Sequence, residues 1–337
     1  MAGERVLVVG AGSISTAWFP PIKEEQLQVC GVVDLKPEVA RERLAAYQID
    51  APVFATLAGA LKKTRPDFVL DLTVPDAHCA VTCAALKRGI PVIGEKPMAV
   101  SMAQARRMLR AAEAHKTLYM VSQSRRWTGH HATIAQAVRN GVLGPLTTLN
   151  CDFYIGAHFG GFRDVMASPL ILDMAIHLFD LARLFSGADA QAVYTKEFNP
   201  RGSWYQGNAA ATCVFEMDHG IIFTFRGSWC AEGCHTSWNG NWRVIGEHGT
   251  LVYDNDQEPH GQVVAGSDGF NRTLHDACLP PAAMPYGGMH GALREMLAYL
   301  RTGAAPQTEC HDNSKSLAMV FAAIKSARTG RRVAVTA

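Results

Sequence analysis

Short apolar runs alternate with amphipathic stretches through the first 122 residues of the chain. Five of these runs have the length and the β-branched content of buried strands, and they lie at residues 6–9, 29–33, 68–72, 91–93 and 118–121. The stretches between them have helical spacing, and Ser101 with Gln104 forms a capping-box motif at the start of one. Strands that alternate with helices of this length predict βαβ units and a doubly wound parallel α/β sheet.

The pattern changes after about residue 126, where short strand candidates follow one another. They lie at residues 147–155, 190–198, 209–215, 221–229, 242–245 and 250–253. Helical patterns lie at residues 130–140, 169–185, 289–301 and 312–329, and the polar residues 254–285 are predicted to form a long loop. A run of strands after a βαβ region predicts a second, α+β domain with a mostly antiparallel sheet. The predicted domains are therefore residues 1–122 and 123–337.

The chain has 337 residues, which is more than one hydrophobic core usually serves and agrees with two domains. Hydrophobic residues make up 48% and charged residues 18%, so the composition excludes a disordered chain. The net charge is +2 without a basic run, which gives no reason to expect a nucleic-acid partner. We see no signal-peptide pattern and no apolar run near the length of a membrane span. Nine scattered cysteines are typical of reduced thiols, so we expect a cytoplasmic protein without a membrane partner.

A glycine-rich turn follows the first apolar strand. Gly10 and Gly12 match the first two glycines of the fingerprint G-x-G-x-x-G, and Ser15 replaces the third with another small residue. The first glycine permits a tight turn, and the second lets the backbone approach a pyrophosphate at a helix N-terminus. Asp34 ends the next strand, 22 residues after Gly12, where a carboxylate can accept hydrogen bonds from an adenosine ribose. The motif therefore predicts a dinucleotide site.

The alternative interpretation of this turn is an ordinary glycine turn with a solvated aspartate. We prefer the cofactor interpretation because the motif lies in the strand–turn–helix context that the fingerprint requires. Asp34 favours NAD over NADP, since its charge would repel a 2′-phosphate. Lys36 lies close enough to weaken this preference.

Glu95, Lys96 and Pro97 follow the strand predicted at residues 91–93. This position is at the carboxyl edge of the parallel sheet, where open α/β folds bind their ligands. A lone loop lysine is usually a solvated surface charge. A Glu-Lys-Pro triplet at this edge favours a chemical role for Lys96 instead.

The helix predicted at residues 169–185 is apolar nearly all round, which indicates that it is buried. Asp173, His177 and Asp180 stand at i, i+4 and i+7, on one stripe of this helix. Ionisable groups on a buried helix need a partner or a function. One interpretation is a self-satisfied polar stripe in which Asp180 pairs with Arg183, and we adopt it for those two residues. For Asp173 and His177 we prefer a catalytic role.

Together these motifs resemble the glucose–fructose oxidoreductase/inositol dehydrogenase/MocA (Gfo/Idh/MocA) family, in order and spacing and over nearly the whole chain. The motifs are Gly10-x-Gly12, Thr73-x-Pro75-x-x-His78, Glu95-Lys96-Pro97 and Asp173-x-x-x-His177-x-x-Asp180. The resemblance implies an α/β Rossmann domain, followed by an α+β domain with a large open-faced sheet that forms a homodimer or homotetramer. Two departures are Ser15 and the pair Leu170-Ile171, which stands where glycine-rich residues often precede the family aspartate.

The resemblance also implies a role for individual residues in an NAD(P)-dependent dehydrogenase that acts on CH–OH groups. Lys96, Asp173 and His177 correspond to the family's catalytic lysine, aspartate and histidine. The implied residues at the NAD cofactor are Gly10, Gly12, Ser13, Ile14, Asp34, Thr73, Pro75, His78, Glu95 and Lys96.

The expected reaction moves a hydride from a secondary hydroxyl of a sugar, cyclic polyol or glycoside to the nicotinamide, so the hydroxyl must lose a proton. A neutral histidine is suited to accept that proton near neutral pH, which makes His177 the expected general base. Lys96 would hydrogen-bond to the same oxygen and stabilise the developing alkoxide. Asp173 would orient the substrate or the base.

A substrate pocket is expected near Arg126, which follows the last Rossmann strand, and near His158 and Arg163, which precede the helix of His177. The expected substrate-binding residues are Lys96, Arg126, His158, Arg163, Asp173 and His177. The arginines could instead hold the carboxylate of a sugar acid. Four tryptophans of the second domain could stack on a sugar, but we prefer core packing for them: Trp204, Trp229, Trp238 and Trp242.

Two other functions stay open. One is an NAD-retaining enzyme that cleaves a glycoside through transient oxidation, and the other is a non-catalytic regulator that senses a sugar or NAD. The segment Cys230-x-x-x-Cys234-His235 lacks the spacing of a four-ligand zinc site, so we expect no metal.

Overall fold

The computed structural model describes residues 3–337, which form two compact units. The first unit comprises the residues up to 124 together with 286–314, and the second comprises 125–285 and 315–337. The strands are β1 (Arg5–Val9), β2 (Gln28–Val33), β3 (Val53–Phe54), β4 (Phe68–Asp71), β5 (Val92–Glu95), β6 (Tyr119–Ser122), β7 (Leu146–Tyr154), β8 (Ala190–Phe198), β9 (Ala210–Met217), β10 (Ile222–Ser228), β11 (Asn241–Gly246), β12 (Gly249–Tyr253), β13 (His260–Val264), β14 (Leu274–Asp276) and β15 (Val333–Ala334). The α-helices are α1 (Ser15–Glu24), α2 (Pro37–Ala46), α3 (Leu57–Lys63), α4 (Pro75–Leu86), α5 (Met102–His115), α6 (Gly129–Arg139), α7 (Ile176–Ser186), α8 (Gly288–Thr302) and α9 (Cys310–Thr329).

The first unit is built on a six-stranded sheet with the order β3-β2-β1-β4-β5-β6, and every strand pair in it is parallel. Strands β4, β5 and β6 are buried along their whole length, as expected for a sheet with helices on both faces. All five predicted strands of this region are confirmed. The two-residue strand β3 was missed because it is too short to give a periodic signal.

The late segment 286–314 joins the first unit, although the predicted boundary assigned it to the second domain. Helix α8 packs against α1, where His290 Nε2 and Arg294 Nε both lie 2.6 Å from Glu25 Oε1. The N–H of Val121, in the edge strand β6, donates to the carbonyl of Thr308 at 3.1 Å. These long-range contacts leave no local sequence signal, so the prediction could not include them.

The second unit is built on a nine-stranded sheet with the order β14-β13-β12-β11-β7-β10-β9-β8-β15. Its pairs are antiparallel except β7 with β10, which is parallel. The buried face packs against α7, where the Phe179 ring contacts Phe215 and Phe225 edge-on, with centroids 4.8 and 5.5 Å apart. The predicted fold class, a Rossmann sheet followed by a mostly antiparallel α+β domain, is confirmed.

Two predictions for the second unit were wrong in detail. The segment 254–285 is not all loop, because β13 and β14 extend the sheet at its edge. These strands are short, polar and largely exposed, so they lack an apolar alternation. The helix predicted at residues 169–185 begins with a π-helical segment, Leu170–Ala175, and becomes α-helical at Ile176. Among the helices of residues 3–337, none combines the length and the apolar character that crossing a membrane requires.

Candidate active site

The turn between β1 and α1 holds the glycine motif. Gly10 has a φ of +97°, and a Cβ added there would lie 2.6 Å from the backbone oxygen of Leu72. In contrast, a Cβ added at Gly12 would meet no atom of the described chain within 4 Å. The geometry fits a tight turn at the first glycine and an open approach to the backbone at the second.

Free backbone donors surround Gly12 at the N-terminus of α1. Within residues 3–337, the N–H groups of Gly12, Ser13 and Ile14 donate to no protein acceptor. Ser15 closes the turn, because its N–H and its Oγ–H both donate to the Gly12 carbonyl, at 3.1 and 2.7 Å. Unpaired N–H groups at the positive end of a helix dipole favour an anion. This turn therefore fits the pyrophosphate of a dinucleotide.

Asp34 directly follows β2, and both of its carboxylate oxygens accept backbone hydrogen bonds. The N–H of Ala11 donates to Oδ2 and the N–H of Lys36 donates to Oδ1, each at 2.8 Å. A carboxylate oxygen has two lone pairs, so each oxygen can accept a further bond from a ribose hydroxyl. The bond from Ala11 ties Asp34 to the glycine turn, which fixes the predicted ribose site relative to the predicted pyrophosphate site.

A buried carboxylate that the sequence analysis missed organises the loop after β4. Asp71, the last residue of β4, is fully buried, and Thr73 donates to its Oδ1 from the hydroxyl at 2.6 Å and from the N–H at 3.1 Å. His78 Nδ1 lies 3.1 Å from Asp71 Oδ2, and its ring is also buried. Pro75 occupies the favoured first position of α4. These contacts support the loop from within, and the predicted roles of Thr73, Pro75 and His78 at the cofactor stay predictions.

Glu95, at the end of β5, is a buried anchor beside Lys96. The indole N–H of Trp18 donates to Glu95 Oε1 at 2.8 Å, and the backbone N–H of Lys96 donates to Oε2 at 3.2 Å. Burial raises the pKa of the Glu95 carboxyl, and the bond from Trp18 and the charge of Lys96 offset this in part. Through Trp18 the carboxyl links the lysine loop to α1, so these contacts favour a supporting role for Glu95. Lys96 itself is half-buried.

In the second unit, the π-helical segment carries Asp173 and the first turn of α7 carries His177. The predicted stripe assumed a regular α-helix, and the π-helical segment changes the angular spacing of these residues. Segments of this kind are often found at functional sites. His177 is half-buried.

Asp173 has a charged partner, Arg163, which was expected to bind the substrate. The Arg163 Nε–H donates to Asp173 Oδ2 at 2.6 Å. The guanidinium also lies 4.8 Å from the ring centroid of Phe159 and 4.7 Å from that of Phe162. Two exposed aromatic rings and a guanidinium therefore border the Asp173 carboxylate.

Asp180 is fully buried and is held by Arg126. The Nε–H and Nη2–H groups of Arg126 each donate to one Asp180 oxygen at 2.7 Å, and Ser316 Oγ–H donates at 2.6 Å. Burial alone would raise the pKa of Asp180, but the charge and hydrogen bonds of Arg126 bring it below its usual value. Arg183 forms an ion pair with Asp180 at 3.8 Å, and it donates hydrogen bonds at 2.9 Å to Asp189 and to Ser316.

The bidentate pair adds to the interpretation of two residues. Asp180 forms the expected ion pair with Arg183, but its hydrogen bonds come from Arg126 and Ser316. Arg126 is buried by this pair, so its guanidinium supports α7, and its expected contact with a substrate stays a prediction.

His158 lies on the surface of the second unit. Its ring stacks on Trp204 with centroids 3.6 Å apart, and its Nε2 lies 2.7 Å from Glu232 Oε1. Both side chains of the His–Glu pair are more than half exposed. Trp229 and Trp242 are buried, as core packing requires, whereas Trp204 is half-buried and Trp238 is exposed, so the core-packing prediction was wrong for Trp238. Lys96 belongs to the first unit and His177 to the second, so their action on one substrate oxygen stays a prediction.

Two family models match this chain, one in its N-terminal part and one in its C-terminal part. Residues 4–123 match the family model described as "Oxidoreductase family, NAD-binding Rossmann fold", and residues 131–252 match the "GFO/IDH/MocA C-terminal domain". The chain belongs to the Gfo/Idh/MocA family of oxidoreductases. The predicted family, the predicted enzyme class and NAD as cofactor are thereby confirmed for this Gfo/Idh/MocA protein.

Relatives with named activities span most of this Gfo/Idh/MocA chain. A D-apiose dehydrogenase from Paraburkholderia graminis is 28% identical over 91% of this chain and 82% of its own. Inositol 2-dehydrogenase 1 from Paenarthrobacter aurescens is 28% identical over 65% of each chain. An oxidoreductase from Agrobacterium radiobacter, crystallised with NAD+, L-tartaric acid and magnesium, shares the fold. Its TM-score is 0.86 at 20% identity, over 98% of both chains.

Proposed function

We propose that this protein is an NAD-dependent dehydrogenase that oxidises a secondary hydroxyl of a sugar, cyclic polyol or glycoside. The observation that carries the proposal is the presence of Lys96 at the carboxyl end of β5 together with Asp173 and His177 in the second family domain. The relatives named D-apiose dehydrogenase and inositol 2-dehydrogenase support the substrate class.

NAD, when bound, would supply the hydride acceptor of this reaction. In our proposal, the free N–H groups of Gly12, Ser13 and Ile14 hold its pyrophosphate, and Asp34 accepts bonds from the adenosine ribose. The contacts of Asp71 and Glu95 support this assignment because they stiffen the two loops that flank the carboxyl edge of the sheet.

His177 accepts the hydroxyl proton in the proposed reaction, and Lys96 donates a hydrogen bond to the same oxygen. An imidazole in its neutral form can accept a proton. Asp173 is a positioning residue in this proposal, because its carboxylate is already engaged by Arg163 at 2.6 Å. A carboxylate in such a pair is a poor base, since the neighbouring cation favours its charged form.

Arg163 and His158 contribute to substrate binding in this proposal, whereas Arg126 contributes through Asp180. Aromatic rings beside Arg163 can cover an apolar sugar face, and the remaining guanidinium N–H groups can donate to hydroxyls. The same guanidinium would also suit a carboxylate, so sugar acids belong in the substrate screen.

The first experiment follows NADH absorbance with inositols, aldoses, glycosides and sugar acids, each tried with NAD and with NADP. We expect NADH formation with NAD and at least one of these compounds. Release of a sugar from a glycoside without net NADH would identify transient oxidation instead. Absence of any NADH signal or product across the panel would favour a non-catalytic sensor.

Variants of the lysine test its role. We expect Lys96→Ala to abolish turnover with little loss of NAD affinity, since the pyrophosphate and ribose contacts stay intact. Lys87→Ala removes an exposed lysine at the end of α4 and is the matched control. If Lys96 and His177 act at the same oxygen, the double variant Lys96→Ala/His177→Asn should lose less transition-state stabilisation than the sum of the losses in the two single variants. Wild-type turnover in Lys96→Ala would refute the assignment.

We also propose a cytoplasmic homodimer or homotetramer. The outer face of the nine-stranded sheet exposes Tyr194, Val214 and Ile222, which are large apolar residues on adjacent strands. All nine cysteines are free thiols, which agrees with a reducing compartment. Light scattering of the wild type and of Val214→Lys tests the assembly, and an unchanged mass in the variant would exclude this face.

A further inference from the structure

The start of α9 brings together three metal-ligating side chains that the proposed reaction does not use. Glu309, Cys310 and His311 each offer one ligand atom, and these atoms all lie within 4.8 Å of one another. Cys310 Sγ lies 2.9 Å from Glu309 Oε1 and 3.7 Å from His311 Nδ1, and the oxygen lies 2.8 Å from the nitrogen. A tetrahedral zinc ion holds neighbouring ligand atoms roughly 3.3–3.7 Å apart. Small rotations of the side chains would therefore complete such a site.

A second carboxylate, from a different helix, orients the imidazole. Glu113 Oε1, on α5, lies 2.8 Å from His311 Nε2. A histidine that ligates a metal through one ring nitrogen usually donates its other N–H to a carboxylate, which fixes the tautomer and the ring orientation. The contact leaves Nδ1 directed at Glu309 and Cys310, as an ion at the cluster requires.

The position of the cluster suits an ion that enters from solvent. Cys310 is fully buried, whereas the side chains of His311 and Glu309 are 48% and 29% exposed. Glu309 is also fixed by a β-bridge to Met120 in β6. A thiolate and a carboxylate carry two negative charges, which a divalent cation would balance.

We propose that Glu309, Cys310 and His311 bind a divalent transition-metal ion of the zinc class, with Glu113 orienting His311. The mixed oxygen, sulfur and nitrogen donors favour zinc or cobalt over magnesium or calcium, which prefer oxygen ligands. A water molecule completes the tetrahedron. Binding releases the thiol proton and any proton on Nδ1 to solvent, and the ion ties the start of α9 to α5.

The test uses the full-length protein, stripped of metal with a chelator and titrated with Co²⁺ and then Zn²⁺. We expect one equivalent of Co²⁺ to give a thiolate charge-transfer band with tetrahedral d–d bands, and Zn²⁺ to displace it. Calorimetry in buffers of different ionisation enthalpy should detect the released protons. Cys310→Ser should abolish the charge-transfer band, and Glu113→Gln should lower the affinity roughly 10- to 100-fold.

Two further variants keep the proposal falsifiable. His311→Asn changes a half-exposed residue, so it should fold while losing the zinc-dependent rise in Tm that we expect of the wild type. Cys234→Ser removes an exposed cysteine outside the cluster and should leave the cobalt spectrum unchanged. Wild-type binding by both Cys310→Ser and His311→Asn, or loss of the band in Cys234→Ser, would overturn the proposal.

Discussion

Glu197, in β8, is a buried carboxyl group with neutral partners. Among residues 3–337, Ser168 Oγ–H donates to its Oε2 at 3.0 Å, and its Oε1 accepts no hydrogen bond. Glu197 is 9% exposed. Burial raises the pKa of its carboxyl from 4.5 to about 7, and the bond from Ser168 offsets only part of this effect.

The raised pKa links the stability of the second unit to pH. Between the ordinary value of 4.5 and the folded value of about 7, the folded state binds more protons than the unfolded state. The free energy of unfolding is therefore greatest below pH 4.5, and it falls as the pH rises through the folded pKa of about 7. Each unit of pKa difference corresponds to about 1.4 kcal/mol, so the total loss is about 3 kcal/mol.

The substitution Glu197→Gln tests the expected loss of about 3 kcal/mol. The amide keeps the size of the side chain and can still accept the bond from Ser168, but it has no charge to bury. We expect wild type and variant to have similar free energies of unfolding near pH 4.5. From there to about pH 8, the variant should gain about 3 kcal/mol relative to the wild type. Urea unfolding across this pH range, followed by tryptophan fluorescence, measures the difference.

Glu258→Gln removes one exposed carboxylate from the same unit and controls for the loss of a charge. If the stability difference between wild type and Glu197→Gln were the same at every pH, the buried carboxyl would not be the titrating group. A difference that shrinks with rising pH would contradict the sign of the pKa shift. Either result would refute the reasoning.

Three further substitutions test the candidate site. Gly12→Val should leave the Tm within a few degrees of the wild type, because the added atoms meet open space, but should abolish NAD binding in calorimetry. Asp34→Ala should raise the KM for NAD by roughly 10- to 100-fold, through loss of hydrogen bonds to a charged group, without a matching loss for NADP in steady-state kinetics. Arg126→Met should lower the free energy of urea unfolding by about 3–5 kcal/mol, because it leaves the Asp180 carboxylate buried without its bidentate partner. Restoration of much of this loss in Arg126→Met/Asp180→Asn would confirm that the buried charge is the cause.

Elements with a strong periodic signal were predicted well. The strands of the Rossmann sheet are continuous apolar runs because both of their faces are buried. The N-cap half of the capping box at Ser101 is confirmed, since the Gln104 N–H donates to its Oγ at 3.2 Å, whereas Gln104 Oε1 has no hydrogen-bond partner among residues 3–337. In contrast, β13 and β14 lie at the sheet edge, where solvent exposure removes the alternation. The π-helical start of the helix at 169–185 also has no distinct apolar period.

The site residues divide in a similar way. The glycine turn and Asp34 could be selected from the sequence because the motif depends on local geometry after a strand, and their role at the cofactor stays a prediction. Asp71 was missed, although an aspartate inside the apolar run 68–72 is a usable signal for a buried polar network. Lys96 and His177 were selected from their positions, at the edge of the sheet and on a buried helix. The family resemblance then implied a specific role for each, because neither a loop lysine nor a helical histidine is specific alone.

Distance along the chain explains which partners could be inferred. Asp71 bonds to Thr73 two positions away, and such a pair can be recognised from the sequence once the strand end is known. Asp180 instead bonds to Arg126 and Ser316, which are 54 and 136 positions away, so only the fold selects them over Arg183. The proposed metal-binding cluster combines partners that are close in the sequence with one that is far away. Glu309, Cys310 and His311 are adjacent in the sequence, a spacing unlike that of known zinc motifs. Glu113 lies 198 positions from His311, and its contact with the imidazole is what supports a metal site at this cluster.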